Sequence, residues 1–159
     1  MRALTVLTKV EIFYGLPKEH LEALAEICEE VTYQEGDIIV QEYMPSNELF
    51  VIVRGVVQIV MDPRALEMGG EASVIATLRS GQTFGEIGLV DRGLRTASAR
   101  AASKQVDLLA IKRDALVQLC EADTQLGYQL MRNIAADLAF KIRNTDLMVR
   151  EQLLWESKG

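Results

Sequence analysis

An α+β fold, mainly β, follows from three features of the 159-residue sequence. Helical apolar spacing is confined to the two ends, and short apolar runs separated by turn signals fill the middle, from about Val31 to Ile111. Between the strands, Glu86 to Val90 supplies one or two turns of a short helix. Closely spaced strands with Gly and Pro punctuation close into an antiparallel β-roll or jelly roll, with N-terminal helices before it and a long C-terminal helix after it. With 49% hydrophobic and 25% charged residues, a chain of this length can bury the core of one domain.

Leu4, Leu7, Val10 and Phe13 give a short amphipathic helical segment that Gly15 breaks. Pro17 suits a first helical turn, and Leu21, Leu24, Ala25 and Cys28 line one face of a helix running to about Ile27. Gly36-Asp37 is a turn, Ile38 to Val40 a short strand, and Met44 to Asn47 a loop. Leu49 to Val53 and Val56 to Met61 are strands joined at Gly55, Asp62-Pro63 ends the second, Gly69-Gly70 marks a loop tip, and Ser73 to Leu78 is a further strand. Val106 to Ile111 is the last strand, and Arg113 opens a helical tract that breaks near Asp123-Thr124. This divides the chain at 1–122 and 123–159. Beyond the break Leu126, Leu130, Ile134, Leu138 and Ile142 form a stripe, joined by Met131, Ala135, Thr145, Val149 and Leu153. The stripe is too long for a small roll to cover, so its distal part is expected to meet a second copy in a homodimer.

A net charge of −6 and a pI near 4.9 oppose a broad nucleic-acid-binding face, which rests on clustered Lys and Arg. Cys28 and Cys120 stand in apolar surroundings far apart in sequence, as buried thiols in a reducing compartment do. His20, the only histidine, lies in a polar stretch and is expected at the surface. Lys9 and Glu11 interrupt the apolar N-terminus too early for a signal peptide or a membrane span, so a cytoplasmic protein is expected.

The stretch Thr83 to Ala99 has the makings of an anion site. Gly85 allows close backbone approach, and the N–H groups opening the Glu86 to Val90 turn lack internal partners and attract phosphate. Arg95 can return over that N-terminus and offer a planar fork to phosphate oxygens. A carboxylate at Glu86 suits a ligand that also carries hydroxyl donors, such as a ribose.

Phe84-Gly85-Glu86-Ile87-Gly88-Leu89, followed by Arg95-Thr96-Ala97-Ser98-Ala99, resembles the phosphate-binding cassette of cyclic nucleotide-binding domains. These occur in kinase regulatory subunits, gated channels and the catabolite activator family. The resemblance implies that Glu86 bonds the ribose 2′-hydroxyl, Arg95 the cyclic phosphate, and the N–H groups of Gly85, Ile87 and Gly88 complete the cradle. Phe84, Thr96 and Ala97 complete the implied ligand-binding set, Thr96 with a hydroxyl near phosphate or base. In the family the long helix covers the base, which here falls to Lys141, Ile142, Asn144 and Thr145. The Leu49 to Gly55 run is similar to the family's central strand and turn. The sequence departs from the pattern at Tyr43 and Ser46, where glycine is frequent, in a long Pro63 to Gly70 segment, and at Leu94, where proline often precedes the arginine.

The resemblance implies a non-enzymatic receptor for cyclic AMP, favoured over cyclic GMP, with no cofactor and no metal. No helix-turn-helix segment follows the long helix before Gly159, so the expectation is a sensor acting on a separate effector protein, or a regulatory domain of a longer chain. A ligand-free interaction module with the same fold is the alternative. An enzyme using Glu86 and Asp91 as paired carboxylates ranks behind both, because no histidine or metal-ligand cluster accompanies them in the sequence.

Overall fold

The computed structural model describes residues 2–45, 47–61, 73–86, 88, 95 and 97–158. Its helices are α1 (Arg2–Leu7), α2 (Lys18–Glu26), α3 (Arg113–Ala122) and α4 (Thr124–Lys158), with a 3-10 turn at Glu11–Phe13. Its strands are β1 (Cys28–Gln34), β2 (Ile38–Val40), β3 (Glu48–Arg54), β4 (Val57–Met61), β5 (Ser73–Leu78), β6 (Thr83–Phe84), β7 (Ser98–Ala101) and β8 (Gln105–Lys112). Two four-stranded antiparallel sheets result, in the orders β1-β8-β3-β6 and β2-β7-β4-β5.

Strands β3 and β8 lie side by side within the first sheet, and both are apolar on both faces. Phe50, Ile52, Val106, Leu108 and Ala110 join Val57, Ala99 and Ala101 of the second sheet in a core between the sheets. The alternate residues Leu49, Val51, Leu109 and Ile111 face outward into a second core with Leu7, Phe13, Leu24, Leu116, Leu126, Leu130 and Ile134. A strand buried on both faces reads as a continuous apolar run, which is why Leu49 to Val53 and Leu108 to Ile111 do not alternate. The helical ends therefore pack on the first sheet, and the second sheet closes the roll.

Three sequence expectations need correction. The Leu4 to Phe13 segment is α1 plus a 3-10 turn, because apolar residues spaced strictly by three suit bonds such as Val10 N–H to the Leu7 carbonyl (3.2 Å) and Phe13 N–H to the Val10 carbonyl (3.1 Å). Cys28 belongs to β1, opposite Ile111, rather than to a helix face; its Sγ still reaches back to donate to the Leu24 carbonyl at 3.3 Å. His20 is largely covered, its Nε2 lying 2.8 Å from Asp123 Oδ2. The turn signals at Asp62-Pro63 and Gly69-Gly70 lie outside the described residues.

The expected helix break falls at Asp123, whose Oδ1 accepts from the Leu126 N–H at 3.2 Å and so caps the start of α4. Leu126, Leu130 and Ile134 are fully buried, and each such side chain contributes about 1.5–3 kcal/mol of burial energy. Asn133 adds a polar tie: its Nδ2 donates to the carbonyls of Ile12 (2.9 Å) and Tyr14 (2.7 Å). Past Ala139 every described residue of α4 is exposed, Trp155 to 80%. No helix among the described residues is long and apolar enough to cross a membrane.

Candidate functional site

Strand β6 is two residues long and pairs at the edge of the first sheet, with Phe84 opposite Phe50. The two rings stack with centroids 4.9 Å apart and planes 14° apart, which sinks Phe84 into the core between the sheets. The chain leaves the strand through Gly85 at φ +90°, where an added Cβ would stand 2.6 Å from the Glu48 carbonyl oxygen and 2.7 Å from Arg95 Nη1. Only glycine fits there, for both conformation and space. The next residue, Glu86, is driven inside and is only 5% exposed. The Gly88 N–H donates to the Gly85 carbonyl at 3.2 Å, and Arg113 Nε, from the first residue of α3, donates to the Gly88 carbonyl at 2.8 Å.

Arg95 is fixed from two sides. Its backbone N–H donates to the Met44 carbonyl (2.9 Å) and its carbonyl accepts from the Tyr43 N–H (2.8 Å). Tyr43 adopts φ +67°, a left-handed conformation that costs a residue with a Cβ about 1–2 kcal/mol. The departure from glycine at Tyr43 thus keeps a glycine-like backbone. Arg95 Nη2 donates to the Glu48 carbonyl at 2.9 Å, and the guanidinium sits 5.9 Å from the Phe50 ring centroid, within cation–π range. Burial pulls the Arg95 pKa down, while the charges of Glu48 and Glu86 act in the opposite sense. An arginine keeps its charge through such a shift.

The third component comes from α4. Lys141 Nζ donates to Glu86 Oε1 and lies 3.0 Å from Asp137 Oδ2, one helical turn back. Burial alone lowers the Lys141 pKa, but the hydrogen bonds and charges of Glu86 and then Asp137 outweigh it and the net shift is upward. Glu86 Oε2 is buried and has no hydrogen-bond partner among the described residues. A buried carboxylate oxygen left without a donor is costly, and a hydroxyl is the neutral donor that would satisfy it. A half-buried arginine, a glycine at positive φ against it, and a buried carboxylate with one oxygen unpartnered among the described residues together fit a ligand carrying both an anion and a hydroxyl.

Of the sequence-predicted positions, Gly85, Glu86, Gly88 and Arg95 fall into this arrangement. Phe84 supports it from the core, and Ala97 is partly buried just before β7. Ile87 and Thr96 lie outside the described residues. Among the expected base contacts, Lys141 meets Glu86 instead. Ile142, Asn144 and Thr145 are exposed, and the Thr145 hydroxyl donates to the Lys141 carbonyl at 3.0 Å. Sequence reasoning missed Arg113 and the Glu48 carbonyl; a backbone acceptor leaves no mark in sequence, and Arg113 reads only as a helix start.

The family model of the cyclic nucleotide-binding domain matches residues 30–123. The chain belongs to this family. It is 29% identical over 136 residues to the cyclic AMP receptor protein of Thermus thermophilus, covering 86% of this chain and 59% of that protein. It is 28% identical over 112 residues to human cGMP-dependent protein kinase 2, covering 70% of this chain and 14% of the kinase. Among solved structures, the N-terminal domain of a transcriptional regulator from Streptomyces coelicolor superposes with a TM-score of 0.74 at 27% identity, covering 90% of this chain and 94% of that one. The chain therefore spans less than two thirds of the length of the curated relatives named here, and α4 lies beyond the residues that the family model matches.

Proposed function

We propose that the chain is a receptor for a 3′,5′-cyclic purine nucleotide, without catalytic activity, that signals through the position of α4. The observation that carries this reading is the buried Glu86 carboxylate with an unpartnered Oε2, set in the same segment as Gly85 and close enough to Arg95 for its charge to be felt there. Arg95 would bond the cyclic phosphate with the N–H groups of Gly85 and Ile87, joined by that of Gly88 on its release from the Gly85 carbonyl, and Glu86 would accept from the ribose 2′-hydroxyl. The names of the relatives include both a cyclic AMP receptor and a cyclic GMP-dependent kinase, and cyclic AMP is the favoured ligand. A cytoplasmic location and an effector, in a separate protein or a further domain, complete the proposal.

Titration calorimetry with cyclic AMP and cyclic GMP tests it. Binding of either is expected, with a cyclic AMP preference, and Arg95→Ala should weaken it by about 2–4 kcal/mol through loss of a charge-assisted contact. Folded protein that ignores both nucleotides at millimolar concentration sinks the receptor reading.

A second reading has its own support. Phe140, Leu147, Met148, Leu154 and Trp155 are each more than half exposed on distal α4, as in a module that dimerises through this helix. Mass in solution that stays dimeric in Arg95→Ala protein, together with no nucleotide binding, favours an assembly role alone.

A further inference from the structure

The polar ties between α4 and the roll end at Lys141. Among the described residues, those beyond Ala139 are exposed, and the Lys141 ammonium is the last group of the helix that reaches back, past Asp137, to the segment after β6. Its target is specific. Glu86 is the one buried charged residue among those described; one of its oxygens is taken by Lys141 and the other has no hydrogen-bond partner among the described residues.

We propose that Lys141 is a positioning residue through which α4 and a ligand hydroxyl share Glu86, Lys141 on Oε1 and the hydroxyl on Oε2. This rests on the receptor reading above. Because Lys141 engages Oε1 and leaves Oε2 without a donor among the described residues, a hydroxyl that reaches Oε2 need not displace Lys141, so helix and ligand cooperate and do not compete. The ammonium supplies the counter-charge for a carboxylate withdrawn from water, and a charged carboxylate is the stronger hydroxyl acceptor. The hydroxyl in turn satisfies the remaining oxygen and fixes the carboxylate against which Lys141 docks. Asp137 holds the ammonium from the helix side, aligned for Glu86 before any ligand arrives. Coupling between two sites is reciprocal, so whatever draws α4 off the roll lowers ligand affinity by the factor through which the ligand holds α4 down.

The test uses the full chain, with cyclic AMP and 2′-deoxy-cyclic AMP as probes on wild type, Lys141→Met and Lys141→Arg. Wild type should prefer the hydroxylated probe by about tenfold or more, an ordinary margin for a hydrogen bond to a charged group. It should also slow amide exchange in residues 138–146 when cyclic AMP is added. Lys141→Met should cut that preference at least several-fold and abolish the added protection, and Lys141→Arg should recover much of both. A Lys141→Met protein with undiminished preference and protection overturns the proposal while leaving the receptor reading intact. Tighter binding by Lys141→Met also overturns it, since that is the signature of competition for Glu86. If wild type binds neither probe, the receptor reading falls and this inference with it.

Discussion

Gly85→Ala and Gly36→Ala form a matched pair that isolates the close packing at the site from the cost of the backbone conformation. The two glycines have nearly the same φ, +90° and +91°. Alanine in the left-handed region costs about 1–2 kcal/mol at either position. At Gly36 nothing lies within 4 Å of the added Cβ, so that cost is the whole effect. At Gly85 the Cβ meets the Glu48 carbonyl oxygen at 2.6 Å and Arg95 Nη1 at 2.7 Å. The arginine end can swing away, but Glu48 is held in β3 opposite Lys112 of β8, so its carbonyl cannot yield without disturbing the central pair of strands. Forced overpacking adds about 1–3 kcal/mol, which brings the expected loss to about 2–5 kcal/mol for Gly85→Ala against about 1–2 kcal/mol for Gly36→Ala. Displacing Arg95 also breaks its bond to the Glu48 carbonyl, so calorimetry should show nucleotide affinity falling in Gly85→Ala and unchanged in Gly36→Ala. Urea unfolding at equal m-values measures the stability difference. Two variants equal in stability to within about 0.5 kcal/mol, with equal affinity, would falsify the close-packing account of Gly85.

Arg113→Met should destabilise the fold by about 1–2 kcal/mol, because it removes the charged donor to the Gly88 carbonyl while keeping much of the side chain's apolar contact, and urea unfolding reads the loss directly. A change within error would mean that the Gly88 carbonyl finds another donor. Burial pushes the Cys28 thiol up to about 11. The folded state thus holds a proton that the unfolded chain releases near 9, so this stability is intact at neutral pH and is lost as pH rises from about 9 to about 11. The loss is at most about 2.7 kcal/mol, lessened by partial exposure, and Cys28→Ala should flatten that limb of the stability–pH curve. An identical slope in the variant would assign it to other groups.

What the sequence revealed and what it hid divide along physical lines. Leu49 to Val53 is legible as a strand because burial on both faces leaves an uninterrupted apolar run, and the Asp123 break is legible because a short acceptor side chain precedes a new helical period. Gly85, Glu86 and Arg95 are legible as a set through the resemblance of their segment to the phosphate-binding cassette, and the fold brings the three together. Strand β6 is hidden: two residues carry no periodicity, and its existence depends on Phe84 stacking on Phe50. The place of Phe84 in the core is hidden for the same reason, since a ring beside a glycine reads equally as ligand wall or as core. Helical spacing places Lys141, Ile142, Asn144 and Thr145 together, but their spacing cannot tell which of them meets Glu86, 55 residues away in sequence. His20 and Asp123 are likewise polar residues whose pairing only the tertiary fold creates.

The segment after β6 is tied to helix on both sides of the Asp123 break. Arg113, at the start of α3, grips the Gly88 carbonyl, and Lys141, in the fifth turn of α4, grips Glu86. Between these ties α4 is clamped by Leu126, Leu130, Ile134 and Asn133, so its proximal part belongs to the core. At 1.5 Å per residue the 35 residues of α4 extend about 52 Å, and the stretch past Ala139 has no apolar cover among the described residues. A lever so built cannot pivot freely at Asp123 without opening the apolar core. Motion that begins past Ile134 disturbs chiefly the Lys141–Glu86 pair and the partly buried contacts of Leu138. On the receptor reading proposed above, the hydroxyl acceptor and the last foothold of α4 would be the same carboxylate, so Glu86, rather than the Asp123 break, is where ligand chemistry and helix position would meet.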